Sequence, residues 1–164
     1  MENDIPELKT QFAFRVRINF KQRVYYLSTR GYRRSFTPTI SGVVDGPRLQ
    51  GRVIPNSGAD FAMSGKLDAH YMLEASDGTP IYIHNMGYMH PLDRPLSREE
   101  HLKFDEELPA RLKIGPDIPM YCRCTPQFDC RPGPHDWLTR TVIVGTAQRF
   151  SNPDHTMFYY YEVL

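Results

Sequence analysis

Apolar and polar residues alternate along most of this chain, with a period of two. In "FAFRVRINF", Phe12, Phe14, Val16, Ile18 and Phe20 fall on one side, and Ala13, Arg15, Arg17 and Asn19 on the other. Successive side chains of an extended chain point to opposite faces, so this alternation predicts a half-buried strand. "TVIVGTAQRF" and "TMFYYYEVL" predict two more, joined by the turn "SNPDH". The stretch "GYRRSFTPTISGVVDGPRLQGRVIPNSGAD" predicts two or three, divided at Asp45-Gly46-Pro47 and at Pro55-Asn56-Ser57-Gly58.

"LDAHYMLEASDGTPIYIHNMGYM" predicts a hairpin, with Asp77 and Gly78 as the two central residues of a type I′ turn. That turn sets Ser76 opposite Thr79 and His70 opposite Asn85. One face then carries Asp68, His70, Met72 and Glu74 with Ile81, Ile83, Asn85 and Gly87. The other carries Ala69, Tyr71 and Leu73 with Tyr82, His84, Met86 and Tyr88. A slip of one residue would scramble these faces. Neither face is plainly wet, which fits a barrel lined inside and covered outside, and also fits a dimer interface.

Residues 89–119 depart from the pattern, being rich in proline and charge. Within them "SREEHLKFDEEL" offers Ser97 as an N-cap and Glu100 as its capping-box partner, predicting one short helix near residues 97–108. A long excursion from a β domain serves as a lid, a partner surface or a solvated insertion. The whole chain, residues 1–164, is therefore expected to be one all-β domain. Many short strands with turn signals suggest a sandwich or a barrel, and the hairpin faces fit a closed antiparallel β-barrel with a central cavity, interrupted by an inserted segment with a helix.

Charge and composition narrow the function classes. A net charge of +1 lacks the basic footprint of a nucleic-acid binder. No apolar run is long enough to span a bilayer as a helix. The start "MENDIPELK" is acidic and polar, unlike a signal peptide, so the expected compartment is the cytosol. Three cysteines, Cys122, Cys124 and Cys130, argue against a disulfide framework. Cys122-x-Cys124 with His135 nearby lacks the Cys-x-x-Cys spacing and the second pair of a zinc knuckle, so no metal is expected. On a strand the first two cysteines share a face as small apolar residues. No phosphate loop, dinucleotide fingerprint or nucleophile elbow is present in the sequence, so no cofactor is expected.

Any site must then be assembled across strands. His70 and Asn85, as paired above, put a proton carrier beside an amide donor, with Asp68 on the same face. That face also offers Met72 and Ile83 to a ligand. Arg123 faces away from the two cysteines beside it, and is either a clamp for a substrate oxygen or an ion-pair partner of Asp129 or Asp60. Asp60, between Ala59 and Phe61, is either hydrogen-bonded structure or a cavity group. Trp137, the one tryptophan, either stacks on a planar ligand or packs in the core. The run from Phe158 to Tyr161 puts aromatics on both faces of the last strand, with Tyr159 and Tyr161 taken as the ligand-lining pair. The many aromatics at exposed parity (Tyr71, Tyr82, Tyr88 and Tyr159 to Tyr161) point to a homodimer.

These pieces together resemble the domain of unknown function 3237 family. The resemblance rests on "GYRRSFTPTISGVVDGPRLQGRVIPNSGADF", "LDAHYMLEASDGTPIYIHNMG", "RCTPQFD" and "WLTRTVIVG", in that order. It covers most of the chain, with the helix-bearing segment as the main departure. It implies a closed barrel similar in architecture to allene oxide cyclase and dirigent proteins, which steer reactive intermediates without a cofactor. It places Asp60 and Arg123 on family positions, whereas the family favours Arg where this chain has His70. Fungal members look like helpers in polyketide or terpenoid biosynthesis. The expected function is a cofactor-independent cyclase, isomerase or lyase acting on a small apolar oxygenated ligand, pericyclic (Diels–Alder type) chemistry included. Arg123 and Asn85 would bind a substrate oxygen inside the barrel, with Asp60, Asp68 and His70 orienting them. The alternative is a lipocalin-like carrier with the same cavity and no chemistry.

Overall fold

A computed structural model describes residues 5–29, 32–91, 97, 99, 120–151 and 153–164. Among these residues ten strands form, in chain order: β1 (Thr10–Phe20), β2 (Val24–Thr29), β3 (Tyr32–Asp45), β4 (Gly51–Val53), β5 (Ala59–Asp60), β6 (Lys66–Ala75), β7 (Pro80–Pro91), β8 (Met120–Cys130), β9 (Ile143–Ser151) and β10 (Asp154–Val163). All pairings are antiparallel. The order β1-β10-β9-β8-β7-β6-β4-β3 returns to β1 through a direct β1–β3 ladder, and β5 fills the gap between β3 and β6 beside β4. The sheet thus closes into an eight-stranded antiparallel β-barrel, with β2 extending from β3 as a flap. Closure removes the free edges that an open sheet would expose.

Local chemistry explains several joints. Pro38, which has no backbone N–H, sits where β3 leaves its ladder with β2 after Phe36 and joins β1 at Thr39. Asn56 turns the chain between β4 and β5 with φ of 55°, a conformation asparagine tolerates. In β1 the register slips between Phe12 and Phe14. This bulge sends Phe12 outward against Tyr161, with ring centroids 5.7 Å apart, while Phe14, Val16 and Ile18 stay buried. Strict alternation had put Phe12 on the inner face.

The β6–β7 hairpin differs from expectation by one residue. Ala75 N donates to Thr79 O at 2.9 Å, so the loop is Ser76, Asp77 and Gly78, and of these only Gly78 has positive φ, 82°. This is a three-residue loop, not a type I′ turn. His70 consequently opposes His84, and Asn85 opposes Ala69. Ala69, Tyr71, Leu73, Ile81, Ile83 and Asn85 are buried inside. Asp68, His70, Met72, His84 and Met86 face outward and are half-buried. The reason is energetic: this register buries Tyr71, Leu73, Ile81 and Ile83 together, at roughly 1.5–3 kcal/mol for each side chain removed from water.

The two ends of the barrel differ. At the end with the Asp77 turn, a 3₁₀ turn, Asp136–Thr139, inserts Trp137 and Leu138 into a core that includes Phe14, Leu73, Ile81, Phe128 and Tyr160. The Phe14 and Trp137 rings meet edge to face at 6.4 Å, and the Arg48 guanidinium covers the indole at 4.3 Å. At the other end, where β7 ends and β8 begins, the buried side chains include Ser35, Thr37, Thr39, Asp60, Asn85 and Thr156.

The helix expected near residues 97–108, and the lid over 89–119, lie outside the described residues except for Met89 to Pro91 in β7 and for Ser97 and Glu99. Tyr71 and Tyr160 are buried rather than exposed, which removes two residues from the aromatic surface counted toward a dimer. Tyr82 and Tyr88 remain exposed. Among the described residues no helix is long and apolar enough to cross a membrane.

Candidate functional site

A polar row crosses the interior wall. The register aligns Thr37 with Asp60, Asp60 with Ala69 and Ala69 with Asn85, so these four share the inner face on consecutive strands. Strands lie about 4.8 Å apart, which puts Asp60 and Asn85 about 10 Å from each other across the small Ala69. Asp60 is buried, and burial pushes its carboxyl above the ordinary carboxylate range. The Arg23 charge and a hydrogen bond from the Asp68 backbone N–H at 3.4 Å counter part of that rise. Arg23 Nε also donates to Thr37 Oγ1 at 3.1 Å, tying the cation to the row.

Asn85 is fully buried. Its Nδ2 donates to the Tyr160 hydroxyl at 2.9 Å, and its Oδ1 has no hydrogen-bond partner among the described residues. A buried acceptor without a donor costs about 1–3 kcal/mol, so it is a place where an incoming donor gains. Burial raises the Cys122 thiol to about 11 and the Cys124 thiol to about 12, so both are neutral and neither is an activated nucleophile. Their shared buried face is as parity predicts.

The other expected site residues lie on the opposite side of the wall. Arg123 is exposed, its guanidinium donating to Cys122 O at 2.8 Å and to Thr146 Oγ1 at 3.0 Å, and it lies over the Tyr121 ring at 4.9 Å. Neither Asp129 nor Asp60 pairs with it. It lines an outer depression of about 830 Å³ with Asp68, Met86, Tyr88, Thr146 and Tyr161. Gly87 and Gly145 flank Cys124 there and add no side chain to its inner face. A Cβ on Gly145 would lie 2.7 Å from Cys124 Sγ and 2.8 Å from the Tyr160 ring.

The five residues expected to converge are therefore split. Asp60 and Asn85 are inside, and Arg123, Asp68 and His70 are outside. Of the ligand-lining set, Tyr161 faces the outer depression, Tyr159 and Met72 are half-buried on the outer side, and Ile83 and Trp137 are core. The inward pair of the last strand is Phe158 and Tyr160. One hairpin slip accounts for His70, Asp68 and Met72. Reading the sequence missed Thr37, Arg23 and Tyr160, although the parity of "SFTPT" and of Phe158 with Tyr160 carried the signal for two of them.

The fold and the inner polar row define a closed antiparallel β-barrel with a polar band at one end. The chain belongs to the family described as Protein of unknown function (DUF3237), whose model matches residues 8–163. A UPF0311 protein of Rhodopseudomonas palustris (strain TIE-1) is 29% identical over 154 residues, covering 90% of this chain and 92% of that one. A UPF0311 protein of Clostridium acetobutylicum is 28% identical over 136 residues, 80% of this chain and 78% of its own. The fold is similar to that of a β-barrel-like protein from Acinetobacter baumannii AYE, with a TM-score of 0.76, 24% identity, and coverage of 99% of this chain and 100% of the other. It is also similar to a structure described as an enzyme from Penicillium herquei, with a TM-score of 0.70, 16% identity and full coverage of both chains.

Proposed function

We propose that the protein binds a small, mostly apolar, oxygenated molecule inside the polar end of the barrel and rearranges it without a cofactor, as a cyclase, isomerase or lyase. The observation that carries this is the inner row, where a carboxyl of raised pKa and an unpartnered amide oxygen lie on either side of the small Ala69. A buried carboxyl whose pKa is raised keeps its proton more readily than an ordinary carboxylate, so it can donate to a carbonyl when protonated and take a proton from a hydroxyl when ionised, which is the requirement for general acid–base catalysis. The Asn85 oxygen accepts a substrate hydroxyl or N–H and fixes one conformer, and conformer selection alone lowers the barrier of a ring closure. Neutral thiols at Cys122 and Cys124 favour chemistry without a covalent thioester. The likeness to a barrel described as an enzyme supports catalysis as a use of this architecture, as a fold-level analogy only.

The test begins with native mass spectrometry of the protein after incubation with apolar natural-product extracts, to identify the molecule retained. Chromatography then follows conversion of that molecule by the wild-type chain, Asp60→Asn and Asn85→Ala. Conversion by the wild type, with a loss of about 10²–10³ in turnover for folded Asp60→Asn, is the expected result. Full turnover in both variants overturns the assignment to the inner row. Retention with no conversion by the wild type reduces the protein to a carrier.

A further inference from the structure

Outside the barrel, Asp68, His70 and His84 bring one carboxylate and two imidazoles together. One ligand atom from each lies within 4.8 Å of the others. Asp68 Oδ1 is 2.7 Å from His84 Nε2 and 3.3 Å from His70 Nε2. The two histidines are direct cross-strand partners, and their rings stack with centroids 3.8 Å apart at 20°. We propose that Asp68, His70 and His84 form a binding site for a divalent transition-metal ion, with zinc as the type ion. The site lies on the outer face and does not rest on the reading of the inner row.

Three features carry the proposal. The first is spacing. An ion bound at about 2.0–2.2 Å to imidazole nitrogen and carboxylate oxygen holds its ligand atoms about 3–3.6 Å apart. The 3.3 Å from Asp68 Oδ1 to His70 Nε2 lies inside that range, and the 2.7 Å to His84 Nε2 is a hydrogen-bond distance that would open by a few tenths of an ångström around an ion. The second is preparation of the ligands. Metal-bound imidazole needs its other nitrogen held, and His70 Nδ1 is hydrogen-bonded to the Tyr82 hydroxyl, which leaves Nε2 as the free ligand atom. Phe61 meets the His70 ring edge-on at 6.1 Å and limits its rotation. The third is access. The side chains of Asp68, His70 and His84 keep 33%, 37% and 24% of their exposure, so an ion can enter and retain water or an outside ligand in its remaining positions.

The donor set also chooses the ion. Two imidazoles and one carboxylate suit zinc, copper, nickel or iron, whereas calcium and magnesium take mainly oxygen ligands. Asp68 lines the 830 Å³ depression that also holds Arg123. The open coordination positions therefore border a groove whose cation, aromatic rings and threonine hydroxyl suit an anionic oxygen ligand.

The experiment strips the full chain with chelator and titrates it with zinc chloride by calorimetry, and with cobalt(II) by visible absorption. The expected result is one zinc per chain at micromolar affinity or tighter, with visible cobalt bands of four- or five-coordinate geometry. His70→Gln and His84→Gln should each weaken binding by about 100-fold or more, and Tyr82→Phe by about 10-fold. Should a histidine variant fail to fold by circular dichroism, Asp68→Asn and Tyr82→Phe decide in its place. No stoichiometric zinc binding by the wild-type chain overturns the proposal. So does binding that survives in folded variants, and so does magnesium binding as tight as zinc.

Discussion

Asp68 joins the two faces of the barrel wall to each other through Asp60: its backbone N–H donates inward to the Asp60 carboxylate at 3.4 Å, while its own carboxylate accepts outward from His84 at 2.7 Å. One residue thus sets the hydrogen bonding of the buried acid and belongs to the exposed histidine cluster. The consequences can be measured on each side separately.

Asp60 should make stability fall with rising pH. Its folded-state pKa is raised by burial above the unfolded value, so the native chain holds this proton to higher pH than the unfolded chain does. Its contribution is full below the ordinary carboxylate value and is lost as pH rises through the elevated one. Asp60→Asn removes that loss. The melting temperature of the variant, relative to wild type, should rise between pH 4 and pH 8, as thermal scans in matched buffers will read. A gap that stays constant or narrows would mean the carboxyl is not destabilised by ionising.

Arg123→Ala and Asn85→Ala should behave oppositely. Arg123 is exposed and bonded to a carbonyl and a threonine on the outer face, so its loss should change stability by no more than about 0.5 kcal/mol. It should also leave conversion of an inner-row ligand intact. Asn85 is buried against Tyr160, and its loss should cost about 1–3 kcal/mol. Urea unfolding of both variants checks this, and an equal cost for the two would contradict their placement on opposite faces.

Gly145→Ala should destabilise by about 1–3 kcal/mol, because the new methyl meets Cys124 Sγ at 2.7 Å and the Tyr160 ring. Gly87→Ala should cost more. Its Cβ would press on the Arg123 carbonyl and on the Cys124 Cα at 2.8 Å, and backbone cannot rotate away as a side chain can. Chemical unfolding midpoints of the two variants order the effects; a Gly87→Ala chain as stable as wild type would refute the tight approach of β7 and β8.

Thiol labelling should resolve the cysteines. At pH 8 a thiol raised to about 11 is ionised in about one molecule in a thousand, and Cys122 and Cys124 are buried as well. Ellman's reagent should therefore label the half-buried Cys130 first, and reach all three only in denaturant. Rapid labelling of three thiols in the folded chain would contradict the closed core.

Much of this architecture was legible in the residues. Period-two alternation determined the strands, and turn residues determined their breaks near Asp45 and Asn56. Parity alone put Cys122 and Cys124 on one face and Arg123 on the other, but it did not say which face was inner; burial of the cysteines sends Arg123 outside, against the expectation that it binds a ligand within the barrel. These properties are local: they follow from the pleat and from which φ a residue tolerates. Which residues meet across strands was decided only by the tertiary structure. The stretch "ASDGT" accommodates a two-residue or a three-residue loop, and Gly78 serves in either. Packing Tyr71, Leu73, Ile81 and Ile83 into one core selects the longer loop. That single step carries Asp68 and His70 to the outside beside His84, and leaves Asn85 inside in the row with Asp60. In β1 the bulge at Ala13 likewise turns Phe12 outward, because the ladder to β10 must bury Phe14 against Tyr160 while Tyr161 stays outside. A side-chain period of two makes each such choice all or nothing, and burial across the closed barrel makes it.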